Sequence, residues 1–133
     1  MKIKIQLVLL SLALVSMALA GCTTMADAVQ ARGTGKKVTY QASFDEIWAA
    51  MPEAIMAAGL QFVSANRDDH SFLAQRGVTA WSWGENVAIF VEKVEEAKSS
   101  VEVDSKKAVT TNITAPDWAK PISEQLDKKF KRG

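Results

Sequence analysis

Ser43-Phe44-Asp45-Glu46 constrains this chain more than any other stretch. It matches a capping box, in which the Ser43 hydroxyl accepts from the Glu46 amide and the Glu46 carboxylate reaches back to the Ser43 amide. Asp45 and Glu46 also suit the positive end of a helix. A helix is therefore predicted from here to about Ala58. Phe44, Ile47, Trp48, Met51, Ile55 and Ala58 form its apolar stripe. Pro52 lies inside and removes one backbone hydrogen bond, which should bend the helix. Gly59 is the expected stop, because glycine readily takes the left-handed conformation that ends helices.

Strands are predicted on both sides. Residues 36–42 alternate, with Val38 and Tyr40 on one side and Lys37, Thr39 and Gln41 on the other. Residues 60–65 and 71–76 read as two strands joined by the turn chemistry of Asn66-Arg67-Asp68-Asp69-His70. Residues 87–94 place Val87, Ile89 and Val91 on one face. Residues 101–105 place Val101 and Val103 inward, with Glu102 and Asp104 outward. Val109, Thr111 and Ile113 either extend the sheet or cross to a last helix. That helix carries Trp118, Ile122, Leu126 and Phe130 at four-residue spacing, and Pro121 starts or kinks it. The expected fold is α+β: a two-layer sandwich with an antiparallel sheet of about four strands and two helices on one face.

The N-terminus follows a different logic. Lys2 and Lys4 precede an apolar run over residues 5–19, broken only by Gln6, Ser11 and Ser16. The run is shorter than the roughly 20 residues a bilayer-spanning helix needs, and small residues follow it. This is the pattern of a cleaved export signal. Residues 1–21 are then the signal, 22–35 a tether, and 36–133 a single domain. The tether is rich in small and polar residues, with an r.m.s. span of about 20 Å as a flexible coil.

Leu19-Ala20-Gly21-Cys22 resembles a bacterial lipobox. The resemblance implies that Cys22, the only cysteine, takes a diacylglyceryl group as a thioether, after which cleavage leaves it as an acylated N-terminus. A thiolate is the nucleophile that this step needs. Two or three acyl chains anchor stably where one does not. Thr23 follows in place of the aspartate that retains enterobacterial-type lipoproteins in the inner membrane. The implied location is the periplasmic face of the outer membrane. Together with the stretch from Thr39 through Phe62, TYQASFDEIWAAMPEAIMAAGLQF, the chain resembles the small domain-of-unknown-function lipoproteins of Gram-negative bacteria. That resemblance brings no catalytic residues with it.

Composition then narrows the function. Lys2 and Lys4 leave with the signal, so 14 of the 16 basic residues face 15 acidic ones. A near-neutral domain argues against general nucleic-acid binding. With Cys22 acylated, no thiol is left for a disulfide, a metal or catalysis. His70 is the only histidine, so a multi-histidine metal site is excluded. No cofactor and no metal are expected.

The remaining candidates each have a plainer reading. Gly33-Thr34-Gly35-Lys36-Lys37 lacks the spacing of a phosphate loop and precedes a strand where such a loop follows one; it reads as flexible tether. Asp68, Asp69, His70 and Ser71 are adjacent in one turn, and neighbours rarely converge as a triad does. Glu92, Glu95 and Glu96 read as a charged solvent face. Lys128, Lys129, Lys131 and Arg132, with Lys36 and Lys37, face anionic headgroups or simply end a helix. Trp81 and Trp83 share a face at strand spacing. They are either sheet packing or a contact surface for a partner. The expectation is a non-enzymatic envelope lipoprotein: membrane-bound through its lipid, contacting an envelope protein through Trp81 and Trp83. The alternative is a carrier of a small apolar ligand between sheet and helices.

Overall fold

A computed structural model describes residues 2–6, 30, 32–77, 84–107 and 117–133. Cys22, Trp81, Trp83, Val109, Thr111 and Ile113 lie outside these residues. Residues 2–6 are helical and exposed. The domain runs β1 (Lys36–Tyr40), α1 (Phe44–Ala57), β2 (Gln61–Asn66), β3 (Ser71–Arg76), β4 (Glu85–Glu95), β5 (Lys98–Lys107) and α2 (Ala119–Asp127). The fold is α+β.

The capping box forms as the sequence requires. Ser43 N donates to Glu46 Oε2 at 2.8 Å and Glu46 N donates to Ser43 Oγ at 3.2 Å. The helix ends in a Schellman motif. Gly59 has φ +95°, its amide donates to Met56 O at 3.0 Å, and Leu60 N donates to Ile55 O at 3.2 Å. Nothing crowds a Cβ at Gly59, so Gly59→Ala isolates the backbone cost. It should lower stability by about 1 kcal/mol, read as a shift of the urea midpoint with unchanged slope. Pro121 falls in the first turn of α2, where its missing amide costs no intrahelical bond.

The sheet has five antiparallel strands, ordered β1-β5-β4-β3-β2, where about four were expected. β2 to β5 form a meander. β1, expected as a strand from its alternation, joins the meander by pairing with β5 from Lys36↔Val103 to Tyr40↔Ser99. β1 and β2 are thus opposite edges, and α1 carries the chain across the face between them. α2 lies on that same face. Ile47, Met51 and Ile55 of α1, Ile122 and Leu126 of α2, and Phe72, Ile89 and Val101 of the strands share one buried cluster. Each such side chain contributes about 1.5–3 kcal/mol of burial.

The opposite sheet face departs from expectation. Glu102 and Asp104 do point away from Val101 and Val103, but they are only 4% and 3% exposed. Beside them lie Ala88 and Phe90, also buried, with Leu73 against them. The alternation was legible; the cover over this face was not. Part of that cover is Arg32 to Gly35, the end of the stretch read as tether. Gly33 N donates to Glu102 Oε1 at 2.5 Å, Gly35 N to the same oxygen at 3.3 Å, and Thr34 Oγ1 bonds Asp104 Oδ1 at 3.2 Å.

Candidate functional site

The two edges of the sheet differ. The β1 edge is capped at its Tyr40 end by residues 131–133. Gln41 N donates to Lys131 O and Gly133 N to Thr39 O, each at 2.8 Å, with a bridge between Tyr40 and Arg132. Among the described residues no strand pairs with the outer side of β2: every residue of Gln61–Asn66 is exposed, and none carries a charge. Natural edge strands usually carry protection against further pairing. Here it is a bulge between Phe62 and Ser64, which leaves Val63 without a partner on β3. The bulge interrupts the ladder, so this edge offers side chains rather than a regular backbone template.

Those side chains form an aromatic seam. Phe44, Trp48, Pro52 and Met56 recur every four residues along α1 and so follow one line. Phe44 stacks on Trp48 at 5.3 Å between ring centroids. Trp48 meets Phe72 at 4.2 Å, and Phe62 of β2 meets Phe72 at 6.3 Å. Phe44 and Trp48 are half-buried; Phe62, Val63 and Met56 are 40%, 45% and 59% exposed. Arg67 closes one end, its guanidinium 5.4 Å from the Phe44 ring and 5.5 Å from the Trp48 ring. It also pairs with Asp45. Aromatic residues, methionine and arginine are the types enriched at protein interfaces.

The Asn66–His70 turn follows directly. Asn66 Oδ1 accepts from the Asp68 amide at 3.0 Å and the Asp69 amide at 3.3 Å, which fixes the turn. His70 takes φ +54°, its ring 5.0 Å from Phe44. Its Nδ1 lies 3.2 Å from Glu92 Oε2. Arg32 approaches the other Glu92 oxygen at 3.4 Å and donates to the Asp69 carbonyl. Two candidate groups separate in sequence, the turn and the β4 glutamates, therefore meet through His70 and Glu92. Asp68 and Ser71 do not join them: Asp68 is exposed in the turn, and Ser71 is buried on β3. A cavity of about 310 Å³ opens between Ser43, Phe44, Asp45, His70, Lys93 and Glu96. It is a shallow dish of mixed lining in which Lys93 pairs with Glu96, and Asp45 with Arg67.

The chain matches no protein-family model. Nor does any curated protein match it.

The basic C-terminal cluster is mostly neutralised. Lys129 pairs with Glu53 at 2.7 Å, Arg132 with Asp127 at 2.9 Å, Lys36 with Asp117, and Lys37 with Glu102 at 3.7 Å. The Lys36 hydrogen bond holds the Asp117 carboxyl below its ordinary range, and the Arg132 hydrogen bond does the same for Asp127. Burial, with the Asp127 carboxylate beside it, pushes the Tyr40 hydroxyl far above its usual value, so it stays protonated.

Burial pushes the Glu102 carboxyl up. The hydrogen bond with Asp104, the Gly33 and Gly35 amides and the Lys37 ammonium outweigh that, and hold it below the usual glutamate range. A depressed carboxyl contributes stability above its ordinary range and loses it as pH falls through the lowered value. Among the described residues, the space between β1, β5 and α2 amounts to about 10 Å³. The groove between the helices, bounded by Ala50, Ala54, Ala57 and Leu126, holds about 220 Å³.

Proposed function

We propose that this chain is a lipid-anchored protein of the cell envelope whose domain is a non-enzymatic binding or accessory module. The aromatic seam of α1 and β2 is its contact surface. The anchor reading rests on Leu19-Ala20-Gly21-Cys22 after a short apolar run, and Thr23 favours the outer membrane. Residues 1–21 are then removed, and the mature protein begins at Cys22. The observation that carries the contact reading is the half-exposed row of Phe44, Trp48, Met56 and Phe62 beside an uncharged edge strand. An apolar row that leaves this much of itself in water is stabilised by a partner that covers it.

The non-enzymatic reading rests on how the titratable groups are spent. His70 is engaged by Glu92, and the carboxylates of the dish lie in open ion pairs rather than in a closed cleft. The carrier alternative needs an interior space of about 300 Å³ or more. Among the described residues, the cavity between β1, β5 and α2 holds only about 10 Å³, which supports the contact module over it.

Photo-crosslinking in intact cells tests the surface. A photoreactive side chain placed at Phe62 or Met56 is expected to give discrete heavier species. The same group at Glu124, on the outer side of α2, should give none. Arg67→Glu, which puts a carboxylate over the Phe44 and Trp48 rings, should reduce the adducts at Phe62 at least several-fold. Equal crosslinking at all three positions, or none at Phe62 and Met56, would remove the seam as the contact surface.

A further inference from the structure

The seam and the dish leave one constellation unexplained. Arg32 to Gly35 precedes the first strand, yet it is fastened across the sheet face that the helices do not cover. Gly33 and Gly35 turn their amides onto one Glu102 oxygen, and Thr34 bonds Asp104. Two amides of one turn, a residue apart, converge on a single oxygen as in an anion-binding nest, here filled by the protein's own carboxylate. Arg32 extends the attachment. Its guanidinium sits 4.2 Å from the Phe90 ring centroid and reaches Glu92 and the Asp69 carbonyl. The fit at Gly35 is close: a Cβ there would run into the Val103 carbonyl and the Asp104 carboxylate. Only glycine allows the strap to lie this near β5.

A segment needed only as a leash has no use for such contacts. We propose that residues 32–35 are a releasable strap that sets the reach of the domain from its anchor. Docked, it shortens the leash and covers Phe90. Released, its four residues add up to about 14 Å of extended chain. Among the described residues fastened to the sheet, Arg32 is the nearest in sequence to residue 22. The strap's bonds load one after another from Arg32 onward, so it can peel without disturbing the helices. The groups facing Glu102 are Lys37 from β1, Asp104 from β5, and the Gly33 and Gly35 amides. Neutralising Glu102 removes the charge that the nest holds. This reading rests on the lipid anchor proposed above.

The test uses full-length protein, with Glu102→Gln and Gly35→Ala as two independent ways to open the strap. The first arm is trypsin cleavage after Arg32 in detergent. We expect slow cutting in the parent and at least about tenfold faster cutting in both variants, with cleavage after Lys128, at the end of α2, unchanged. A parent cut after Arg32 as fast as the variants overturns the strap. So does a Gly35→Ala chain that stays resistant. The second arm measures energy transfer from a dye at Glu124→Cys to labelled lipid in vesicles of neutral phospholipid. Transfer should fall in both variants; unchanged transfer beside fast cleavage overturns the role in reach. A parent that does not float with vesicles overturns the anchor reading and the reach with it, while the cleavage arm still decides whether the strap is docked.

Discussion

Phe72→Ala is expected to lower stability by about 3–5 kcal/mol. Phe72 is 1% exposed, and it is where the core and the seam join. Trp48 lies against it from α1 and Phe62 from β2. Truncation leaves a cavity that neither neighbour can fill without breaking its own packing, so the loss should sit near the upper end. A domain of this size has roughly 5–15 kcal/mol in total, so about a third or more of its stability goes. Thermal unfolding followed by circular dichroism should show the midpoint fall by more than about 10 °C. Phe62→Ala, at a residue 40% exposed, should cost about 1 kcal/mol or less. If the two changes cost the same, Phe72 is not the keystone described here.

Cys22→Ser has the largest expected effect on location. A hydroxyl is a far poorer nucleophile than a thiolate, so no thioether forms. The variant should incorporate no labelled fatty acid, keep residues 1–21, and leave the outer-membrane fraction. If Cys22 carries the proposed two or three acyl chains, each buried methylene contributes about 0.8 kcal/mol, and the substitution removes that anchor. Fatty-acid labelling of the two chains, followed by membrane fractionation, reads all three outcomes. Equal labelling would mean the lipid is carried elsewhere.

Local features were legible in the sequence because their causes are local. Ser43 and Glu46 cap α1 across three residues, and Gly59 ends it through its own φ. The alternation in β4 and β5 sorts Val87, Ile89, Val101 and Val103 to one face. Features that depend on distant pairing were not legible. That β1 returns to β5, and so leaves β2 as the open edge, is decided by contacts across most of the chain. Phe44 and Trp48 therefore read as ordinary core stripe, although they lie at a margin where water reaches them. Glu102 and Asp104 read as a solvent face because Gly33-Thr34-Gly35 carries no sign that it will fold back over them. Glycine and threonine suit a flexible tether and a carboxylate-binding nest equally well. His70 and Glu92 were each visible alone, and only the β3–β4 pairing brings them together. Trp81 and Trp83, the contact residues that strand spacing suggests, lie outside the described residues, and the seam stands on its own aromatic groups.

The most direct measurement is the mass of the N-terminal peptide of the mature protein, released by protease from purified membranes. The expected peptide begins at Cys22 and carries a thioether-linked diacylglyceryl group and an acylated amine. A peptide beginning at Met1, or one in which Cys22 is a free thiol, would contradict the lipid-anchored module proposed here.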